Sequence, residues 1–186
     1  MSTQIYIDNS ANNPYTITGG LFAQTANSTP ITGTTAETTL LDGGVGSLTV
    51  PANFFRVGDS FTASLGGHIS CVNNEDLRIR VKAGSVILGD TGLIRMGQCN
   101  NQHWDLQVRF TVRVLGGTTV ASIASFGQFT YSKDASTSFE GSDFSTINNT
   151  TFATNVTNAL GITAQWSSNN AGNSIYSENF ILTKIY

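Results

Sequence analysis

The most constraining feature of the chain is an unbroken alternation of apolar and polar side chains over Trp104–Val114. A period of two over this length is typical of a β-strand with one buried face and one face in water. Leu77–Val81 shows the same alternation, and no stretch of similar length has the spacing of an amphipathic helix. The apolar positions of the longer run are Trp104, Leu106, Val108, Phe110, Val112 and Val114. The sequence therefore predicts an all-β protein.

The remaining pattern predicts roughly eight to ten short strands, with turn signals about every 8 to 15 residues. Strands do not alternate with helical segments, which favours an antiparallel two-sheet β-sandwich, and a jelly roll is the topology that best suits 186 residues. An immunoglobulin-type sandwich is less favoured, because Cys71 and Cys99 do not flank a tryptophan in the usual order. We expect one domain over residues 21–186, preceded by a polar N-terminal arm over residues 1–20.

The composition restricts the possible partners. Only 11% of the residues are charged, against about 25% in a typical soluble domain, and the net charge is −3. No basic run is present, so we expect no nucleic-acid binding, and no apolar run is long enough for a membrane span. Residues 1–6 have neither a basic nor an apolar region of a secretory signal, so we expect synthesis in a cytosol. A surface of Ser, Thr, Asn, Gln and Gly is suited to packing rather than to steering a charged ligand.

Two predicted strands, Val120–Tyr131 and Ser174–Tyr186, are apolar on both faces. Such a strand needs a cover on its outer side, either from a partner subunit or from the arm or a long loop of the same chain. We expect a subunit interface in a closed homo-oligomer. The expected interface residues are Phe126, Phe129, Tyr131, Phe180 and Leu182. Gly127 is expected to form a bulge where the face changes, and residues 132–151 are expected to form a polar loop.

One group of residues has the composition of a zinc site. His68, Cys71, Cys99 and His103 supply two thiols and two imidazoles, which tetrahedral Zn²⁺ accepts. However, His68 and Cys71 should point to opposite faces of a strand, so we expect no metal site. The two cysteines are then ordinary thiols or a disulfide, which needs an oxidising compartment or late oxidation.

Sequence motifs for catalysis are missing. Gly84–Thr91 has the glycine spacing of a phosphate-binding loop, but Asp90 stands where that loop needs lysine. Gly-x-Ser-x-Gly does not occur, and the two histidines leave few candidates for a general base. We therefore expect no enzyme activity and no cofactor. The best candidate for a ligand site is Trp166 with Asn169 and Asn170, where an aromatic ring lies beside an amide-rich loop. Alternatively, Trp166 continues the inward positions Ile162 and Ala164 of a strand, which the alternation favours.

Several longer runs resemble uncharacterised structural proteins of large DNA viruses of amoebae, marseillevirus-like ones in particular, and of some phages. The runs are Thr29–Leu41, Gly46–Asn53, Val57–Phe61, Leu77–Gly84, Val120–Ile123 and Asn173–Glu178. The resemblance covers nearly the whole chain from about residue 20. It implies a jelly-roll domain that forms a compact homotrimer, similar to tumour-necrosis-factor-like and fibre-head trimers, in or on a virion and in contact with other virion proteins. The resemblance implies no catalytic motif.

Two functions follow as hypotheses. The first is a viral structural protein, a trimeric jelly roll that serves as a capsid-associated, vertex or fibre-head module. The second is a carbohydrate-recognition sandwich that attaches to host-surface glycans through the Trp166 loop.

Overall fold

Two antiparallel β-sheets enclose a single apolar core in the computed structural model, which describes residues 19–133 and 138–186. The strands are β1 (Gly19–Gln24), β2 (Ile31–Thr32), β3 (Thr38–Thr39), β4 (Gly44–Gly46), β5 (Thr49–Val50), β6 (Ser60–Cys71), β7 (Glu75–Ala83), β8 (Val86–Asp90), β9 (Ile94–Met96), β10 (Cys99–Val114), β11 (Ser122–Ser132), β12 (Phe139–Asn149), β13 (Asn158–Trp166) and β14 (Ser174–Lys184). The predicted all-β fold and two-sheet antiparallel sandwich are confirmed. Of the predicted arm, only Gly19 and Gly20 are described, and they belong to β1.

The larger sheet has the strand order β12-β11-β10-β6-β14-β1-β4, with β2 also paired to β14. The smaller sheet has the order β3-β13-β7-β8, with β5 paired to β13 and β9 paired to β7. Every strand pair is antiparallel. The long strands β6 and β10 therefore lie in the middle of the larger sheet.

The predicted alternation of Trp104–Val114 is confirmed within β10. Its inward side chains are at most 8% exposed, apart from Val114, which is 44% exposed after a register shift beyond Val112. Burying an apolar side chain of this size stabilises the fold by about 1.5 to 3 kcal/mol. Because β6 faces β10 residue by residue, the apolar pairs form a ladder in which Phe61 and Phe110 stack at a centroid distance of 5.3 Å.

Gly67 occupies the inward position of β6 opposite Trp104. The indole Nε1 of Trp104 donates to the carbonyl oxygens of His68 and Tyr176, both at 3.1 Å, and so connects β6 with β14. A Cβ atom at residue 67 would collide with the backbone of Tyr176 and Ser177. A glycine here permits the close approach of β14 to β6.

We predict that Gly67→Ala destabilises the protein by about 1 to 3 kcal/mol, because the added methyl group has no space between the two strands. Chemical denaturation of the purified variant measures this loss. Gly161→Ala in β13 is the matched control, since a Cβ there meets no atom within 4 Å. An unchanged denaturation midpoint for Gly67→Ala would contradict the packing described.

Two predictions for the end of the larger sheet are wrong. Gly127 is in regular register with Val108 and Phe144, and a Cβ there would collide with the Phe144 ring, so the glycine makes room for an aromatic ring instead of forming a bulge. Residues 132–151 are mostly strand β12 rather than a loop. Its one buried residue is Phe144. β12 lies at the edge of the sheet and buries one apolar residue. Its sequence therefore lacks the alternation of apolar and polar residues from which strands were predicted.

The outer face of the smaller sheet carries a network of paired charges. Arg78 makes a bidentate contact with Asp90, and Arg80 and Lys82 each contact Glu37. The hydrogen bond from Arg78 lowers the pKa of Asp90 below its ordinary value of 3.8. A hydrogen bond from the Thr163 hydroxyl, followed by that from Lys82, lowers the pKa of Glu37. This face is therefore built from charges that are satisfied within one chain.

The lowered pKa of Asp90 predicts a loss of stability in acid. A carboxylate with a depressed pKa in the folded state stabilises the protein fully above its unfolded-state pKa, and this contribution disappears as the pH falls through the folded-state pKa. The free energy of unfolding should therefore decline below a pH of about 3.8, and less steeply in Asp90→Asn. Urea denaturation across this range measures the slope. Asp143→Asn, at an exposed position of β12, is the control, and equal slopes for wild type and Asp90→Asn would contradict the prediction.

Candidate functional site

Four of the five predicted interface residues lie inside the protomer. Phe129 and Phe180 are 0% exposed, Tyr131 is 1% exposed and Leu182 is 4% exposed, whereas Phe126 is 54% exposed. The choice of Phe129, Tyr131, Phe180 and Leu182 as surface residues is therefore wrong. The pattern of a strand with two apolar faces does not tell which face meets the other sheet, and here the face with the larger aromatic residues turns inward.

The opposite face of the same strands lies on the outside of the larger sheet. Ile181 is 45% exposed in β14 and Val45 is 72% exposed in β4, and both are in register with Ala23 of β1. These three residues form an apolar strip across three adjacent strands. We call Phe126, together with this strip, the outer apolar positions of the larger sheet.

Between Phe126 and the strip, the central strand β6 carries mainly small polar side chains. β6 contributes Thr62 and Ser64 to this face, in register with Arg109 and Gln107 of β10. The guanidinium of Arg109 lies 5.9 Å from the centroid of the Phe126 ring, a cation–π contact. The outward side chains of β6 are Ser60, Thr62, Ser64, His68 and Ser70, none of which is acidic, Lys or Arg. The outward side of β6 is therefore free of acidic residues, Lys and Arg, whereas β10 beside it presents Asp105, Arg109 and Arg113.

The two histidines and two cysteines that have the composition of a zinc site do not come together in the structure. His68 and His103 face each other across β6 and β10 on the outer side, with ring centroids 6.3 Å apart, whereas Cys71 and Cys99 are 3% exposed on the inner side. His68 Nδ1 lies 3.1 Å from a carboxylate oxygen of Glu178. Across residues 19–133 and 138–186, no three His, Cys, Asp or Glu side chains are arranged to hold a metal ion.

Trp166 is not a platform for sugars. Its side chain is 1% exposed, and its Nε1 donates to the Ile31 carbonyl oxygen at 3.1 Å. Asn170 turns its amide toward Glu75 and accepts the backbone N–H of Gly172. Asn169 is exposed. The assignment of Trp166 to a ligand loop is therefore wrong, because the residue continues the inward side of β13.

An apolar cavity of about 270 Å³ lies between the sheets, at the end where β10 and β14 finish and β6 and β13 begin. Its wall includes Phe61, Ala83, Leu88, Phe110, Phe152 and Leu160. The sequence analysis did not find it, because its wall comes from segments far apart in the chain. Such a wall offers contact to small apolar groups.

The charged groups at the cavity wall bind one another. Lys184 Nζ lies 2.7 Å from Asp59, and the second carboxylate oxygen of Asp59 accepts the backbone N–H of Arg56 at 2.9 Å. The Asn158 amide donates to the carbonyl oxygens of Ala153 and Val156. These groups are engaged in structural contacts, and the wall offers apolar contact rather than a nucleophile with an adjacent base.

We predict that Ala83→Ile raises the stability of the protein, because the added methylene groups fill the cavity and each contributes about 0.8 kcal/mol when buried. Ala164→Ile is the matched control, since Ala164 is fully buried and is not part of the cavity wall. The control should lose about 1 to 3 kcal/mol through overpacking. Thermal denaturation compares the two variants, and equal losses in both would contradict the presence of a cavity beside Ala83.

No protein-family model matches this chain, and none of the curated proteins is significantly similar to it. In the part of the chain that the structure describes, no helix has the length and apolar character that crossing a bilayer requires.

Proposed function

We propose that this protein is a non-enzymatic structural module of a virus particle, a jelly-roll sandwich that assembles with copies of itself through the outer face of its larger sheet. The observation that carries the proposal is the contrast between the two outer faces. The smaller sheet presents charges that are paired within the chain, whereas the larger sheet presents Phe126 and Ile181 on either side of β6, whose outward side chains include no acidic residue, Lys or Arg. Exposed apolar groups bordered by uncharged polar ones are typical of protein interfaces.

The size of this face is sufficient for a stable contact. Adjacent strands lie about 4.8 Å apart and residues rise about 3.3 Å along a strand, so the five strands from β12 to β14, each at least 11 residues long, cover roughly 19 by 36 Å, with β1 and β4 beyond them. Side-chain relief adds to this flat area, and a stable interface needs about 800 Å² from each partner. Because β6, the central strand of the face, carries no acidic residue, Lys or Arg, it adds no repulsion between like charges when a second copy approaches.

The apolar groups of this face form two regions. Phe126 lies on β11 and Ile181 on β14, separated by β10 and β6, so the two regions are about 14 Å apart. In a ring, one region of each copy would meet the other region of the next copy in a heterologous contact whose rotation closes, whereas a two-fold dimer would pair the two regions reciprocally. The proposed assembly is a homotrimer, as the resemblance to virion proteins in the sequence implies.

Light scattering behind size exclusion of the full-length chain tests the assembly. We predict a particle of three times 19.7 kDa for the wild type. Phe126→Asp and Ile181→Asp should each give a folded monomer. Burying an unpaired carboxylate in the contact costs more free energy than the contact contributes. A wild-type monomer at all concentrations would contradict the proposal.

Leu93→Asp is the matched control, because Leu93 is 65% exposed but lies beside the smaller sheet, in the connection between β8 and β9. This variant should keep the mass of the wild type, and its dissociation would assign the contact to another surface. Mass spectrometry of purified particles of the encoding virus tests the location. Peptides of this chain are expected at the level of a structural protein, and their absence would contradict a place in the virion.

A further inference from the structure

Cys71 and Cys99 stand directly opposite each other at one end of the larger sheet. Cys71 is the last residue of β6 and Cys99 is the first residue of β10, and the two are partners in the register of this strand pair. Their Sγ atoms are 3.3 Å apart. Directly opposite residues of antiparallel strands have Cα atoms about 4.5 to 5.5 Å apart, which is inside the range of about 4.4 to 6.8 Å that a disulfide spans.

The two thiols are buried in the apolar core. Both residues are 3% exposed, and the Cys71 Sγ atom donates to the Gly97 carbonyl oxygen at 2.9 Å. The Gly97 N–H in turn donates to the Tyr131 hydroxyl at 2.8 Å, so the connection between β9 and β10 is held against the cysteine pair. Both Sγ atoms already lie on the same side of the sheet, and a bond between them requires only a shortening of their separation.

The two cysteines also lie at the ends of their strands, next to an irregularity in the strand pairing. The register of β6 and β10 shifts between Cys99 and Gln102, and Asn101 has a positive φ of 50°. Strand ends next to an irregularity open more readily than the middle of a sheet. Opening of these strand ends would expose the thiols to a small oxidant without unfolding of the whole domain.

We propose that Cys71 and Cys99 form a reversible intrachain disulfide when the protein meets a small-molecule disulfide such as oxidised glutathione. The bond joins the two central strands of the larger sheet across 28 positions of the sequence. The proposal does not rest on the proposed function.

The chemistry is two thiol–disulfide exchanges. One cysteine loses its proton, and its thiolate attacks a sulfur of oxidised glutathione, so that one S–S bond breaks, a mixed disulfide forms and one glutathione thiolate leaves. The thiolate of the other cysteine then attacks the protein sulfur of the mixed disulfide and releases the second glutathione thiolate. Two cysteine thiols are oxidised, one glutathione disulfide is reduced to two thiols, and the two protons go to the departing thiolates.

The test is refolding of the full-length chain from denaturant in a glutathione buffer, since refolding gives the oxidant access to both thiols. The expected product has the intact mass of the reduced chain less two hydrogen atoms, and a thiol-specific reagent finds no reactive thiol after denaturation. Its Tm should exceed that of the reduced protein by roughly 5 to 10 °C, because the cross-link restricts the unfolded chain. Added dithiothreitol should reverse all three changes.

Cys71→Ser and Cys99→Ser are the matched controls. Each should retain one thiol or carry one glutathione, with no rise in Tm in the oxidising buffer. Refolded wild type that keeps two thiols, carries glutathione on each cysteine or forms disulfide-linked dimers would overturn the proposal. The mass of the wild type decides between these outcomes even where a serine variant does not fold.

Discussion

The rest of the structure depends on the register between β6 and β10. These two strands pair in one register from Ser60 with Thr111 to Ile69 with Gln102, and this fixes which side chains of the larger sheet point inward. A shift by one residue would move the apolar set of both strands to the outside. The indole of Trp104 adds hydrogen bonds to two neighbouring strands, which only this register permits. The core, the cysteine pair and the outer face of the larger sheet all follow from the same ladder.

The outer faces of the two sheets differ in the side chains that they present to water. On the smaller sheet, Arg78 and Arg80 are paired with Asp90 and Glu37, so the charges of this face are satisfied within the chain. On the larger sheet, the exposed Phe126 and Ile181 lie on either side of β6, whose outward side chains include no acidic residue, Lys or Arg. Exposed apolar groups bordered by uncharged polar ones are suited to contact with protein.

The sequence predicted the fold class and the strands with strong alternation, because burial of one face leaves a period of two in the residues themselves. It predicted the opposite faces of His68 and Cys71 for the same reason. It failed for β12, whose inward positions are mostly polar, and at Gly127, where a distant ring fills the space. The burial of Trp166 follows from the local alternation with Ile162 and Ala164, whereas the cavity and the inward orientation of Phe129 depend on the packing of one sheet on the other. That information is not local to any strand.

The central claim is that the outer face of the larger sheet is covered in the assembled protein. Hydroxyl-radical footprinting of the full-length chain measures this side chain by side chain, with Leu93 and Phe54 as exposed references beyond that face. Our account predicts that Phe126 and Ile181 are protected in the wild type, although the single chain leaves 54% and 45% of them exposed. Oxidation of both residues at the rates expected from these exposed fractions, with the rate of Leu93 as the reference, would contradict this account.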